Sequence, residues 1–106
     1  MFKGGMPNMQ QMMKQMQKMQ EAMAKVQADL EQRLVNGDSG GGMVRAVVNG
    51  KQKLMKIEIS REVVNPQEKE MLEDLVLTAV NQALDKSNAL AQEEMKKVTG
   101  GAIPGV

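Results

Sequence analysis

The chain has 106 residues, enough for one domain, and its 14 Lys and Arg against 13 Asp and Glu leave a formal net charge of +1. It contains twelve Met, one Phe, no Cys and no His, a composition that excludes disulfides, zinc-finger sites and Cys–His or Ser–His catalysis. We therefore expect a protein that is not an enzyme and that uses no cofactor, metal or small-molecule substrate. No apolar run approaches the ~18 residues of a membrane span, and no secretory signal precedes the first helix, so we expect a cytoplasmic protein without a membrane partner.

The first predicted element is a long helix. We expect residues 1–7 to form a flexible lead-in and Asn8 to cap a helix that ends near residue 33. Apolar residues recur along it at alternating spacings of three and four, which is typical of a packing seam. This Met seam, expected to pack in the core or across a dimer, consists of Met12, Met16, Met19, Met23, Val26 and Leu30, preceded by Met9. Two other uses of the seam stay open, a thioether site for Cu(I) and a groove for apolar helices or a membrane surface.

Lysines occupy the opposite face of this helix. At about 100° per residue, Lys14, Lys18 and Lys25 fall within one narrow sector on the side away from the Met seam. Such a stripe is either an ordinary solvated face or a surface that contacts phosphates. The residues alone favour the solvated face, because three lysines with Glu21 nearby are few.

The next segment has the pattern of short strands. A weak strand candidate at residues 34–38 is followed by Ser39 and three glycines, which predict a turn with unusual backbone angles. A β-branched run over residues 43–49 leads to Asn49-Gly50, a strong hairpin signal, and a third strand is expected within residues 51–60. We therefore predict a three-stranded antiparallel meander. A phosphate-binding loop over residues 37–44 is rejected, because Met43 and Val44 stand where that motif requires Lys and Ser or Thr.

Asn65 and Pro66 predict the cap and first residue of a second long helix. Gly100 ends it, and a soft spot or kink is expected near Ser87 and Asn88. The result is an α+β fold in which residues 8–99 form a single α-β-β-β-α domain, followed by a flexible tail at residues 100–106. A helix of about 50 Å overhangs strands of about 23 Å, so we expect an intertwined homodimer with projecting helical arms.

Residues 69–76, followed by Ala79 and Asn81, resemble the YbaB/EbfC family of bacterial nucleoid-associated proteins. The other landmarks of this resemblance follow in chain order: residues 12–16, residues 37–42, Asn49-Gly50 and residues 57–59. It covers nearly the whole chain.

The resemblance implies a cytoplasmic homodimer that binds double-stranded DNA in the nucleoid and contacts it through its first and last helices. On this sequence, the DNA-binding candidates that it implies are Lys14, Lys18, Lys25, Lys86, Lys96 and Lys97. The alternative function is a non-enzymatic dimeric scaffold that binds another protein through its Met-rich helical surface.

Overall fold

The computed structural model describes residues 5–99, with side chains from residue 8 onward. Its elements run in the predicted order and confirm the α+β class. They are α1 (Gly5–Gln32), β1 (Leu34–Ser39), β2 (Val44–Asn49), β3 (Leu54–Ile59) and α2 (Lys69–Thr99), with single 3-10 turns at Gly40–Gly42, Arg61–Val63 and Pro66–Glu68. The rest of the predicted lead-in, residues 1–4, and the predicted tail, residues 100–106, lie outside the described residues.

Helix α1 begins at Gly5, three residues before the predicted cap, so the prediction that Asn8 caps it is wrong. Pro7 is compatible with this earlier start, because the first turn of a helix needs no backbone N–H from that residue. The cap predicted at Asn65 is confirmed: its side chain accepts a hydrogen bond from the N–H of Gln67 and opens the turn that leads into α2.

The three strands form one antiparallel sheet in the order β1-β2-β3, which confirms the meander. Alternate residues of β2, Val44, Ala46 and Val48, are fully buried and pack beneath Ala79 and Ala83 of α2. The small side chains on α2 allow a close approach between the helix and the sheet. The core therefore lies between α2 and the first two strands.

The two hairpins differ in how well the sequence predicts them. The turn after β1 is as expected, since Gly40, Gly41 and Gly42 all have positive φ angles. The second hairpin is present, but its loop spans residues 50–53 and its positive φ falls on Gln52, not on Gly50. Asn49 holds this loop together, because its Oδ1 accepts hydrogen bonds from the N–H groups of Lys51 and Lys53 at 2.9 and 3.0 Å.

The predicted soft spot in α2 is wrong, because the helix runs unbroken through Ser87. Ser87 is fully buried, and its hydroxyl donates to the carbonyl oxygen of Asn49 at 2.6 Å and accepts from the N–H of Gln52 at 3.2 Å. The serine therefore ties the helix to the second hairpin.

The molecule is elongated, with extents of 80 × 25 × 16 Å and a radius of gyration of 21.4 Å. A compact chain of this length would have a radius of gyration of about 13 Å. Contacts with the sheet and its second hairpin run along α2 from Leu75 to Asn88, and beyond them Met95 lies beside Gln27 of α1. This confirms that the helices overhang the sheet; the predicted homodimer stays a prediction.

Candidate nucleic-acid interface

The projecting arm has two parts. In the paired segment, α1 runs beside the last part of α2, with Gln27 Nε2 3.9 Å from Met95 Sδ and Arg33 Nη1 3.3 Å from Glu94 Oε2. Thr99, the last described residue of α2, borders a groove that runs along α1 from Met23 past Met19 to Met16. Beyond this level the described chain continues as α1 alone. We call residues 8–18 the single-helix tip, and all of its side chains are exposed.

The Met seam divides between these two parts. Leu30 is fully buried, and Val26 and Met23 are half-buried. Exposure then rises to 39% at Met19 and to 61% at both Met16 and Met12. The half of the seam nearest the sheet thus packs within the chain, whereas the half on the tip has no cover among the described residues.

The three candidate lysines of α1 are all exposed and lie on its polar side. Lys14 and Lys18 belong to the tip, and Lys25 lies in the paired segment. Within residues 8–99 none of the three forms a salt bridge.

The candidate lysines of α2 have different surroundings. Lys96 and Lys97 follow Met95, which places them at the level of Lys25 along the arm. Lys97 Nζ lies 3.1 Å from Glu94 Oε2, so its charge is largely directed at a neighbouring carboxylate. That hydrogen bond, helped by Arg33, lowers the pKa of Glu94. Lys86 is exposed but adjoins the buried Ser87, so it lies at the base of the arm.

Charge is distributed unevenly along the arm. The tip carries two lysines and no acidic residue, a net charge of +2. Residues 21–33 and 85–99, which include the paired segment, carry five basic and six acidic residues, a net charge of −1. The tip is therefore the part of the arm where the charge most favours binding of a polyanion.

Amide side chains, which are not among the predicted site residues, accompany the lysines of the tip. The tip carries Gln10, Gln11, Gln15 and Gln17 beside its lysines. The sequence contains one indication of these amides, because the stretch combines four glutamines with no acidic residue. A solvated helix face ordinarily mixes both signs of charge.

A second exposed surface lies at the edge of the sheet. Ile57 pairs with Ala46 and Ile59 with Val44, so both isoleucines point toward the helix side, yet they remain 38% and 40% exposed. Their exposure follows from the position of α2, which covers β1 and β2 and barely reaches β3. Ile59 and five residues of α2 line a mostly apolar groove, here called the β3 groove; the helix residues are Leu72, Glu73, Val76, Leu77 and Val80.

No helix within residues 5–99 is long and apolar enough to cross a membrane.

The chain is thus an elongated α+β protein whose arm ends in a lysine-bearing tip without acidic residues and whose sheet has an uncovered edge strand. Residues 6–102 match the YbaB/EbfC DNA-binding family, and the chain belongs to that family.

Curated relatives agree with this assignment, and one solved structure has the same fold. A nucleoid-associated protein of Chlorobium limicola is 54% identical over 93% of this chain and 87% of its own length. One from Caldanaerobacter subterraneus is 52% identical over all of this chain and 99% of its own. The crystal structure of an uncharacterized protein of Helicobacter pylori, 19% identical, covers 83% of this chain and 98% of its own with a TM-score of 0.62, and so has the same fold.

Proposed function

We propose that this protein binds double-stranded DNA in the cytoplasmic nucleoid as a homodimer, through lysines on its two projecting arms. The observation that carries this proposal is the exposed tip, on which Lys14 and Lys18 form no salt bridge among residues 8–99. Membership of a DNA-binding family, and relatives named as nucleoid-associated proteins, support it.

The proposed mechanism is electrostatic. Lys14, Lys18 and Lys25 neutralise phosphates and release their counterions, with Lys96, Lys97 and Lys86 contributing less because they lie among acidic residues or at the base of the arm. If each dimer neutralises about four to six phosphates, the logarithm of the DNA association constant falls with the logarithm of the salt concentration at a slope of roughly −4 to −5.

The β3 groove supports the dimer. An exposed edge strand whose helix-facing side is apolar is a ready site for pairing with another chain. A second copy of this chain offers the same strand and the same groove, so a two-fold arrangement buries both at once. The dimer then carries two arms, and each duplex meets two tips.

The test is charge reversal on α1. In Lys14→Glu/Lys18→Glu/Lys25→Glu, we expect loss of duplex binding by at least a hundredfold, measured by fluorescence anisotropy with a labelled 30-base-pair duplex at several salt concentrations. A matched control with the same change in charge is Lys51→Glu/Lys53→Glu/Lys69→Glu, whose lysines are exposed and lie outside the tip and the paired segment. We expect this control to bind within a few-fold of the unaltered protein.

Circular dichroism establishes that both triple variants are folded. A folded arm variant that binds as tightly as the unaltered protein would contradict the assignment of the lysines.

The alternative function, a dimeric scaffold for another protein, draws support from the 61% exposure of Met12 and Met16. It predicts dependence on the Met seam and not on the lysines. Absence of saturable duplex binding at low salt, in protein shown to be a folded dimer, would favour the scaffold over DNA binding.

A further inference from the structure

The polar side of the single-helix tip consists of amides and lysines alone. Gln10, Gln11 and Gln17 fall on either side of Lys14 and Lys18 when residues are placed at about 100° intervals around the helix. Gln15 and Gln20 instead border the grooves of the Met seam. A row of hydrogen-bonding side chains thus accompanies the two positive charges.

These three glutamines are not used by the protein itself. Among residues 8–99, the side chains of Gln10, Gln11 and Gln17 make no hydrogen bond, whereas other glutamines do. Gln82 Oε1 accepts from the N–H of Asp38 at 2.7 Å, and Gln52 Nε2 donates to Asn88 Oδ1 at 3.0 Å. The donors and acceptors of the tip are therefore free for a ligand.

The width of the arm decides which part of DNA each segment can reach. A single helix with its side chains is about 10–12 Å across, which matches the major groove of B-DNA at about 12 Å. The paired segment consists of two helices whose axes lie about 8–10 Å apart, so it is too wide to enter. Only the tip, about 16 Å long, can pass between the phosphate strands.

Glutamine has the chemistry to recognise a base edge. Its amide is both donor and acceptor and can bond the N6 amino group and N7 of adenine together in the major groove. Lysine beside it is a point charge that suits phosphate. The tip thus combines groups for base contact with groups for backbone contact.

We propose that the tip of α1 enters the major groove and that Gln10, Gln11 and Gln17 contact base edges there, with adenine as the preferred base. This inference rests on the proposed DNA-binding function and adds to it a source of sequence preference. Lys14 and Lys18 fix the tip against the phosphates, while the glutamines distinguish A·T-containing from G·C-only sites.

The experiment compares three forms of one labelled 30-base-pair duplex by anisotropy at fixed salt: unmodified, with adenine replaced by 7-deaza-adenine, and with guanine replaced by inosine. The first replacement removes N7 from the major groove, and the second removes the guanine amino group from the minor groove. We expect the 7-deaza duplex to bind about tenfold more weakly, which is within the range for one lost base contact, and the inosine duplex to bind as the unmodified one does.

The variant Gln10→Ala/Gln11→Ala/Gln17→Ala should bind the unmodified duplex about as weakly as the unaltered protein binds the 7-deaza duplex, and should not distinguish the two. The matched control Gln15→Ala/Gln20→Ala should keep the full discrimination. Because the comparison is between proteins on the same two duplexes, any change in DNA stiffness caused by the modified base cancels.

Equal binding of the 7-deaza and unmodified duplexes by the unaltered protein would overturn this inference, as would a response to inosine alone. In either case salt-sensitive binding would leave the proposed function standing. Failure to bind any duplex would overturn both proposals.

Discussion

Two glycines determine how closely the sheet approaches the helices. A Cβ on Gly37 would collide with the backbone oxygen of Ala79 and lie 2.5 Å from the nitrogen of Ala83. A Cβ on Gly50 would lie 2.7 Å from the carbonyl oxygen of Leu30, to which the N–H of Gly50 donates at 2.8 Å. At both positions glycine is required by contact between backbones and not by an unusual φ angle.

Gly37→Ala should therefore destabilise the fold strongly. Because the atoms that it meets belong to a helix backbone and cannot rotate away, we expect a loss of about 3 kcal/mol in the free energy of unfolding, the upper end for overpacking. Urea denaturation at fixed protein concentration measures it.

The control for Gly37 is Gly41→Ala. Gly41 has a φ of 68° but open space around its Cβ position, so only the backbone strain remains, about 1 kcal/mol. Equal losses at the two positions would contradict the close approach of β1 to α2.

At the scale of the elements, one carboxylate in the paired segment contacts basic side chains from both parts of the chain that run side by side there. The Glu94 carboxylate pairs with Lys97 on its own helix and with Arg33, the residue that follows the end of α1. Both partners favour the ionised carboxylate, and the hydrogen bond from Lys97 is the larger cause of its lowered pKa. The pair of helices is thus sensitive to acid at this point.

Because the pKa of Glu94 is lower in the folded than in the unfolded chain, its contribution to stability is present above the unfolded value and is lost as the pH falls through the folded value. Lys97→Met should raise the carboxyl pKa of Glu94 toward its ordinary value of 4.5, as measured by an NMR titration. Glu94→Gln should lose less stability between pH 6 and pH 3 than the unaltered protein; an equal loss would show that the shared carboxylate is not responsible.

The elements also show what the sequence could and could not predict. Helix and strand periodicity and the Asn65 cap identified all five elements, since these signals are local. The division of the Met seam into buried and exposed halves was out of reach, because it depends on where α2 ends beside α1. The role of Ser87 was misread for a similar reason: a serine in mid-helix suggests weakness unless the hairpin that it bonds is known. The lysine candidates were chosen by charge, but the contact of Arg33 with Glu94, which helps to hold an acid beside Lys97, appears only in three dimensions.

At the scale of the whole molecule, the chain leaves an apolar strand edge uncovered. It is 80 Å long, buries a small core and leaves Leu54, Met55, Ile57 and Ile59 exposed along β3. A second chain over this edge would complete the sheet's apolar face while leaving the arms free.

We therefore expect Ile57→Lys/Ile59→Lys to shift the protein from dimer to monomer, because the new charges fall on the apolar face that the partner covers. Sedimentation velocity measures the change. The control is Leu34→Lys, which changes an exposed apolar residue on β1 away from the β3 groove; this variant should remain dimeric.

Loss of the dimer should also weaken duplex binding, since two linked tips bind more tightly than one. A Leu34→Lys monomer together with a dimeric isoleucine variant would contradict the proposed interface.

The attachment of Gly50 to the carbonyl of Leu30 has a mechanical consequence. From this anchor to Asn8 the helix extends 22 residues, a stiff lever of about 33 Å. Tilting the lever by about 5° at the anchor displaces its far end by roughly 3 Å, close to the rise of one base-pair step. Angular adjustment at one small joint is thus magnified at the tip, and in the proposed homodimer the gap between two such levers would change by a base-pair step or more while both sheets stay still.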